Sequence, residues 1–212
     1  MLYTAAHLEG VTLDTATLIS LTTFATVAAF TPGPNNLLLA ASSANFGWHA
    51  TLPHMLGVIV GFTLLVTLAA FGLGWLLSVI PSLQWILRLL GLVMILNIAY
   101  RLANSHSLDR KHSPRPMRFF EAVLFQWINP KGVVVIVSAI SAYTTPATIV
   151  WSEVVILISL FFVVTAGSVA LWSYAGAIIA KSLRHPTRLR WFNRGAAMAL
   201  LLSILPVLLN LL

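Results

Sequence analysis

Cysteine is absent from this 212-residue chain, and charge is scarce. Without a thiol there is no disulfide, no thiolate metal site and no CxxC redox couple. Charged residues make up 8% of the chain against 59% hydrophobic, too little charge to cover a water-soluble surface. Carboxylates are rarer still, and all five (Glu9, Asp14, Asp109, Glu121, Glu153) fall in expected loops or near the ends of apolar runs. With none at mid-membrane depth, cargo carrying two positive charges is disfavoured and net-neutral cargo favoured. HExxH, GxSxG and paired intramembrane carboxylates are also missing, and nothing calls for a cofactor or metal, so an enzyme is not expected. The opening residues Met1–Glu9 show no basic stretch leading into an apolar run, so no cleavable signal peptide is expected.

What is present is a series of long apolar runs. A bilayer core takes roughly 20 apolar residues per helix. Candidate spans are Asp14–Ala29, His54–Leu77, Leu83–Leu102, Phe119–Ala142, Ile149–Ala180 and Gly195–Leu211. Pro34–Ala44 is apolar but too short to cross alone, either continuing span one or forming a re-entrant piece. The expected fold is therefore an all-α integral membrane protein of about six spans, with five and seven left open. Of the 12 Lys and Arg, five lie between Arg101 and Arg118 and five between Lys181 and Arg194. The positive-inside rule makes loops 101–118 and 181–194 cytoplasmic, and both termini external. The loops expected at Asn45–Thr51, Ile80–Ser82 and Tyr143–Thr148 carry neither residue. Topology and anionic lipid headgroups thus account for a net charge of +7, with no nucleic-acid partner.

Two proline breaks interrupt apolar helices, one in each half: Thr31-Pro32-Gly33-Pro34-Asn35-Asn36 and Ile128-Asn129-Pro130-Lys131-Gly132. Lipid cannot satisfy the backbone groups such a break frees, so breaks survive only against protein or a polar cavity. Paired breaks are a pointer to a transport site. Gly91-Leu92-Val93-Met94 and Gly195-Ala196-Ala197-Met198 also correspond in spacing, with Arg88 and Arg194 before them. Residues 1–108 and 109–212 are accordingly expected to be two three-helix repeats within one membrane domain. An odd number of spans per repeat inverts one copy relative to the other.

At each break the chemistry is specific. Pro32, Pro34 and Pro130 remove backbone donors, while Gly33 permits a tight turn. The helix before the break ends in unpaired carbonyls that suit an ammonium group. The helix after it begins with unpaired N–H groups and partial positive charge that suit a carboxylate. Asn35, Asn36 and Asn129 add amides at the same level. Lys131 lies twelve residues into its span, roughly 18 Å deep at ~1.5 Å per residue. A cation there costs roughly 3 kcal/mol or more unless paired or hydrated, so Lys131 is a candidate ligand for a cargo carboxylate, with snorkelling or a structural ion pair as the plainer alternative.

Other features have plainer readings. Gly57 and Gly61, with Gly72 and Gly74 further along, suit close helix packing, and a homodimer through glycine faces is compatible with them. His49 and His54 are expected at the interface, with a proton relay as the alternative. Trp48, Trp75, Trp85, Trp151, Trp172 and Trp191 fall near span ends, as an aromatic belt does. Asp14 is expected to cap span one, and Glu121 to pair with the adjacent basic loop.

Thr31-Pro32-Gly33-Pro34-Asn35-Asn36, followed by Gly47, Gly57 and Gly61, resembles the opening of the lysine exporter (LysE/RhtB) superfamily. Phe119-Phe120-Glu121-Ala122 leading into Asn129-Pro130-Lys131 resembles that family's fourth span, and Leu89-Leu90-Gly91 fits its third span more loosely. The resemblance implies a bacterial inner-membrane exporter of amino acids or related metabolites, driven by the proton gradient. It would place Pro32, Gly33, Pro34, Asn35, Asn129, Pro130 and Lys131 at the substrate site, to which the residue chemistry adds Asn36. Met94-Ile95 and Ile98-Ala99 depart from the family pattern. Alternating access about the paired breaks is the expected mechanism. A permease or channel for an inorganic ion is the alternative, and a non-transporting membrane assembly factor is a third class.

Overall fold

The computed structural model describes residues 14–73, 81–104, 115–144, 150–183 and 185–209. Several residues used above, among them Met1–Glu9, Gly74, Trp75, Leu77, Asp109, Arg110, Lys111, Arg184 and Leu211, lie outside the described residues, as does the side chain of Arg88. The described part is helical throughout: α1 Thr15–Phe30, α2 Pro34–Phe46, α3 Trp48–Leu68, α4 Pro81–Ala103, α5 Phe119–Ile128, α6 Pro130–Tyr143, α7 Trp151–Ser182 and α8 Pro186–Leu209. Counting its last turn, the second apolar run forms one 25-residue span over Trp48–Gly72, and α7 forms one of 32 residues. The pairs α1–α2 and α5–α6 are each apolar enough to cross together, bent by 47° and 61° at their breaks.

Local chemistry sets the boundaries. Asp14 caps α1 by accepting a 2.6 Å hydrogen bond from Thr17 N–H, which holds its carboxyl below the usual carboxylate range. The loop expected at Asn45–Thr51 shrinks to Gly47, whose φ of +85° only glycine adopts without strain, and α3 begins six residues before His54. The expected loop 181–194 is mostly helix. Pro186 opens α8, Asn193 is buried, and the Arg194 guanidinium lies 5.6 Å from the Trp191 ring centroid. Arginine stems lie along an apolar helix while their heads reach the headgroups, so basic residues need not end a helix.

Lipid tails are as apolar as leucine, so these helices associate through packing and hydrogen bonds rather than water exclusion. Three apolar clusters result. One joins α1, α3, α6 and α7 through Leu21, Phe62, Leu65, Ile136 and Phe161. A second joins α2, α4, α5 and α8 through Leu38, Ile95, Phe125 and Leu200. The third, with Leu39, Val58, Ala122 and Val169, ties α2 and α5 to α3 and α7. Glycines make the tight approaches. A Cβ on Gly57 would stand 2.4 Å from Phe119 O, one on Gly91 2.1 Å from Ile128 O, and one on Gly176 2.1 Å from Ala40 O. Gly57, Gly61, Gly91 and Gly176 are thus used inside the chain and offer no face to a second copy. A Cβ on Gly195, the expected counterpart of Gly91, would meet nothing within 4 Å among the described residues.

Gly176→Val should push α7 off α2, costing about 1–3 kcal/mol as overpacking does. Its thermal midpoint in detergent should fall. Gly167→Ala, where the new Cβ meets Phe30 at an ordinary 3.5 Å, should leave the midpoint unchanged.

Candidate functional site

The site begins with the carbonyls that end α1. Pro32 and Pro34 cannot donate to them, so donors come from α2 and from two other helices, α6 and α7. Ala29 O accepts from Asn36 Nδ2 at 2.7 Å and from Ser168 Oγ at 2.6 Å. Phe30 O accepts from Trp172 Nε1 at 3.3 Å. Thr31 O accepts from Lys131 Nζ at 2.7 Å and Asn36 Nδ2 at 3.0 Å, and Pro32 O lies 3.4 Å from Lys131 Nζ. The Thr31 hydroxyl bonds back to Val27 O. The first break is therefore closed by the lysine of the second break, 100 residues along the chain.

This arrangement alters one sequence expectation. The freed carbonyls are not open to an incoming ammonium, because the Lys131 ammonium already occupies Thr31 O. Gly33 makes room for it: an added Cβ would lie 2.7 Å from Lys131 Cδ and 3.0 Å from Nζ.

A cavity of about 60 Å³ lies against the two breaks. It has space for a few waters or a small polar group. Gly33, Pro34, Asn35, Asn36, Asn129 and Lys131 line it, with Val58, Phe62, Phe161 and Thr165 among the other walls. Pro32 and Pro130 do not line it. Pro32 is exposed, Pro130 occupies the first position of α6, and both act by breaking helices. The N-termini of α2 and α6 both abut the cavity, so two partial positive charges and one ammonium border it. Asn129 is buried, does not cap α6, and leaves its Oδ1 without a hydrogen-bond partner. A buried acceptor of this kind carries a desolvation cost that a ligand donor relieves.

Next to the cavity, Asn35 and Gln126 exchange two hydrogen bonds, Nδ2 to Oε1 at 2.6 Å and Nε2 to Oδ1 at 3.3 Å, and Gln126 also donates to Ala122 O. Gln126 and Ser168 were not singled out from sequence. Gln126 could have been, as the only polar residue between Glu121 and Asn129 and one turn before the break. Ser168 carries no such signal within the apolar run of α7. Trp172, assigned above to an aromatic belt, instead serves the broken helix. His54 is buried, with both ring nitrogens unpartnered among the described residues. Glu121 pairs with Arg115 as expected.

Gln126→Leu should strand the Asn35 amide and cost about 1–3 kcal/mol. The check is the thermal midpoint of the purified protein, and Asn35→Leu/Gln126→Leu should recover part of the loss.

A family model described as LysE type translocator matches residues 26–210. The cysteine/O-acetylserine efflux protein of Salmonella paratyphi A is 30% identical over 165 residues, which is 77% of this chain and 84% of that protein. The protein of the same name from Escherichia coli O157:H7 is 30% identical over 174 residues, covering 81% of this chain and 88% of the relative. No solved structure matches. With the broken helices and their shared lysine in place, the match over residues 26–210 settles the family: the chain belongs to the LysE type translocators.

Proposed function

We propose that this chain exports small zwitterionic metabolites, neutral amino acids foremost, across a bacterial inner membrane. One observation carries this reading: two half-helix N-termini, the Lys131 ammonium and the unpartnered Asn129 Oδ1 border one cavity. A cargo carboxylate is drawn to the N-termini and to Lys131. As Lys131 turns to the carboxylate, Thr31 O and Pro32 O lose their donor, and the cargo ammonium takes that place with Asn129 Oδ1 as a further acceptor. Lys131 and the cargo amine thus exchange positions on one set of carbonyls. A second positive charge on the cargo would meet no carboxylate among the residues lining this cavity. The relatives' names point the same way, since cysteine and O-acetylserine each pair one carboxylate with one amine.

In this reading α1–α2 and α5–α6 are single broken spans, and α3, α4, α7 and α8 complete six. Residues 1–108 and 109–212 form the inverted repeats, with loops 101–118 and 181–194 cytoplasmic. The repeats rock about the two breaks and expose the cavity to each side in turn, at the expense of the proton gradient. The packing of α2 on α7 and of α3 on α5 supports this, because both contacts join the two repeats.

The test is efflux of preloaded neutral and basic amino acids from cells expressing the protein. Wild type should speed loss of one or more neutral amino acids, and a protonophore should abolish the gain. Lys131→Ala at matched membrane expression should reduce the gain at least tenfold. Normal efflux by that variant would remove Lys131 from the mechanism. An unchanged rate for every amino acid in wild type would sink the assigned cargo class.

A further inference from the structure

Away from the cargo cavity lies a larger one, of about 840 Å³, between α4 on one side and α2 and α5 on the other. Much of its wall is apolar, from Leu38, Leu90, Val93, Met94, Leu124 and Ile128. Leu90, Val93 and Leu124 line it while each remains more than half exposed, so it opens sideways to where lipid stands. Towards the chain's basic segment the lining turns polar, with Asn97 and Arg101 one helical turn apart on α4 and Arg115 opposite. Arg115 is committed to Glu121, both of its terminal nitrogens donating to that carboxylate. Arg101 has no ion pair, and the Asn97 amide no hydrogen bond, among the described residues. His54 also lines this cavity, 1% exposed and with neither ring nitrogen bonded.

We infer that this cavity is a binding site for an anionic phospholipid, with an acyl chain between α4 and α5 and the phosphate on Arg101. Apolar walls fit a chain at membrane depth and would strand a polar cargo there. An acyl chain gains little by leaving bulk lipid for this groove, so selection falls to the headgroup. Arg101 supplies it as an unpaired guanidinium at the polar end, where the glycerol esters would reach the Asn97 donors one turn deeper. Charge decides between occupants: beside the neutralised Arg115–Glu121 pair, Arg101 leaves the described residues that line the mouth with one net positive charge. A second copy of this chain would bring its own basic segment against that charge.

The inference is independent of the export reading and is tested without cargo. The purified full chain is incubated in detergent with phosphatidylglycerol or phosphatidylcholine of identical chains, and bound lipid is counted by native mass spectrometry. Wild type should retain phosphatidylglycerol several-fold better. Arg101→Gln should cut that retention to about a fifth while leaving phosphatidylcholine unchanged, the size expected for one basic group near a lipid surface. Arg101→Lys should restore most of it, and an unchanged gel-filtration profile shows that the variants fold. Val93→Trp, which fills the groove, should lower retention of both lipids. Equal retention of the two lipids by wild type, or no change in Arg101→Gln, would overturn the site. So would efficient self-crosslinking of Val93→Cys in membranes, which would place a second copy over the groove.

Discussion

Everything near the centre of this protein follows from the carbonyls at the end of α1. In lipid, each would remain unsatisfied at a cost of several kcal/mol. Pro32 and Pro34 prevent the next turn from supplying donors, so Asn36, Lys131, Ser168 and Trp172 supply them from α2, α6 and α7. The break therefore couples distant parts of the chain: one defect in a helix fixes the relative placement of three others. The satisfied break also gives the ammonium of an apolar helix its partners. Lys131 finds two carbonyl oxygens and a half-buried position instead of lipid.

Under the proposed function, the same bonds would make the site responsive to ligand. Interhelical hydrogen bonds in membranes contribute only about 0.6–2 kcal/mol each. A cargo carboxylate beside Lys131, as proposed, would compete with neutral carbonyls at comparable cost and could rearrange the cap without unfolding it. The tighter contacts lie elsewhere. Gly57 against Phe119, Gly91 against Ile128 and Gly176 against Ala40 hold α2 and α5 in van der Waals register with their neighbours. A glycine-packed scaffold around a hydrogen-bonded, exchangeable centre gives a transporter a fixed frame and a movable switch.

Much of this was legible in the sequence, unevenly. The breaks at Pro32–Pro34 and Asn129–Pro130 and the Asp14 cap are local effects with known chemistry, and all appear where expected. Partnership was not legible. Nothing in Pro130-Lys131-Gly132 says that this lysine reaches back to Thr31 O, because a contact across 100 residues depends on how the helices pack. Ser168 went unremarked in its apolar run and Trp172 read as a belt residue for the same reason. The start of α8 was missed because basic residues at 188–194 signal the cytoplasmic interface equally well from a loop or from a helix whose side chains snorkel. Gly91 and Gly195, matched by spacing, pack differently among the described residues, because spacing does not encode packing.

The central claim is that cargo and Lys131 trade places on the carbonyls of α1, and the cysteine-free chain allows a direct measurement. Ala28→Cys puts a single thiol on the cavity wall, where its alkylation rate can be followed in membranes. A neutral amino acid should slow alkylation, the matching amine without a carboxylate should not, and Lys131→Met should remove the protection. Equal protection by the amine, or protection that survives Lys131→Met, would contradict the account.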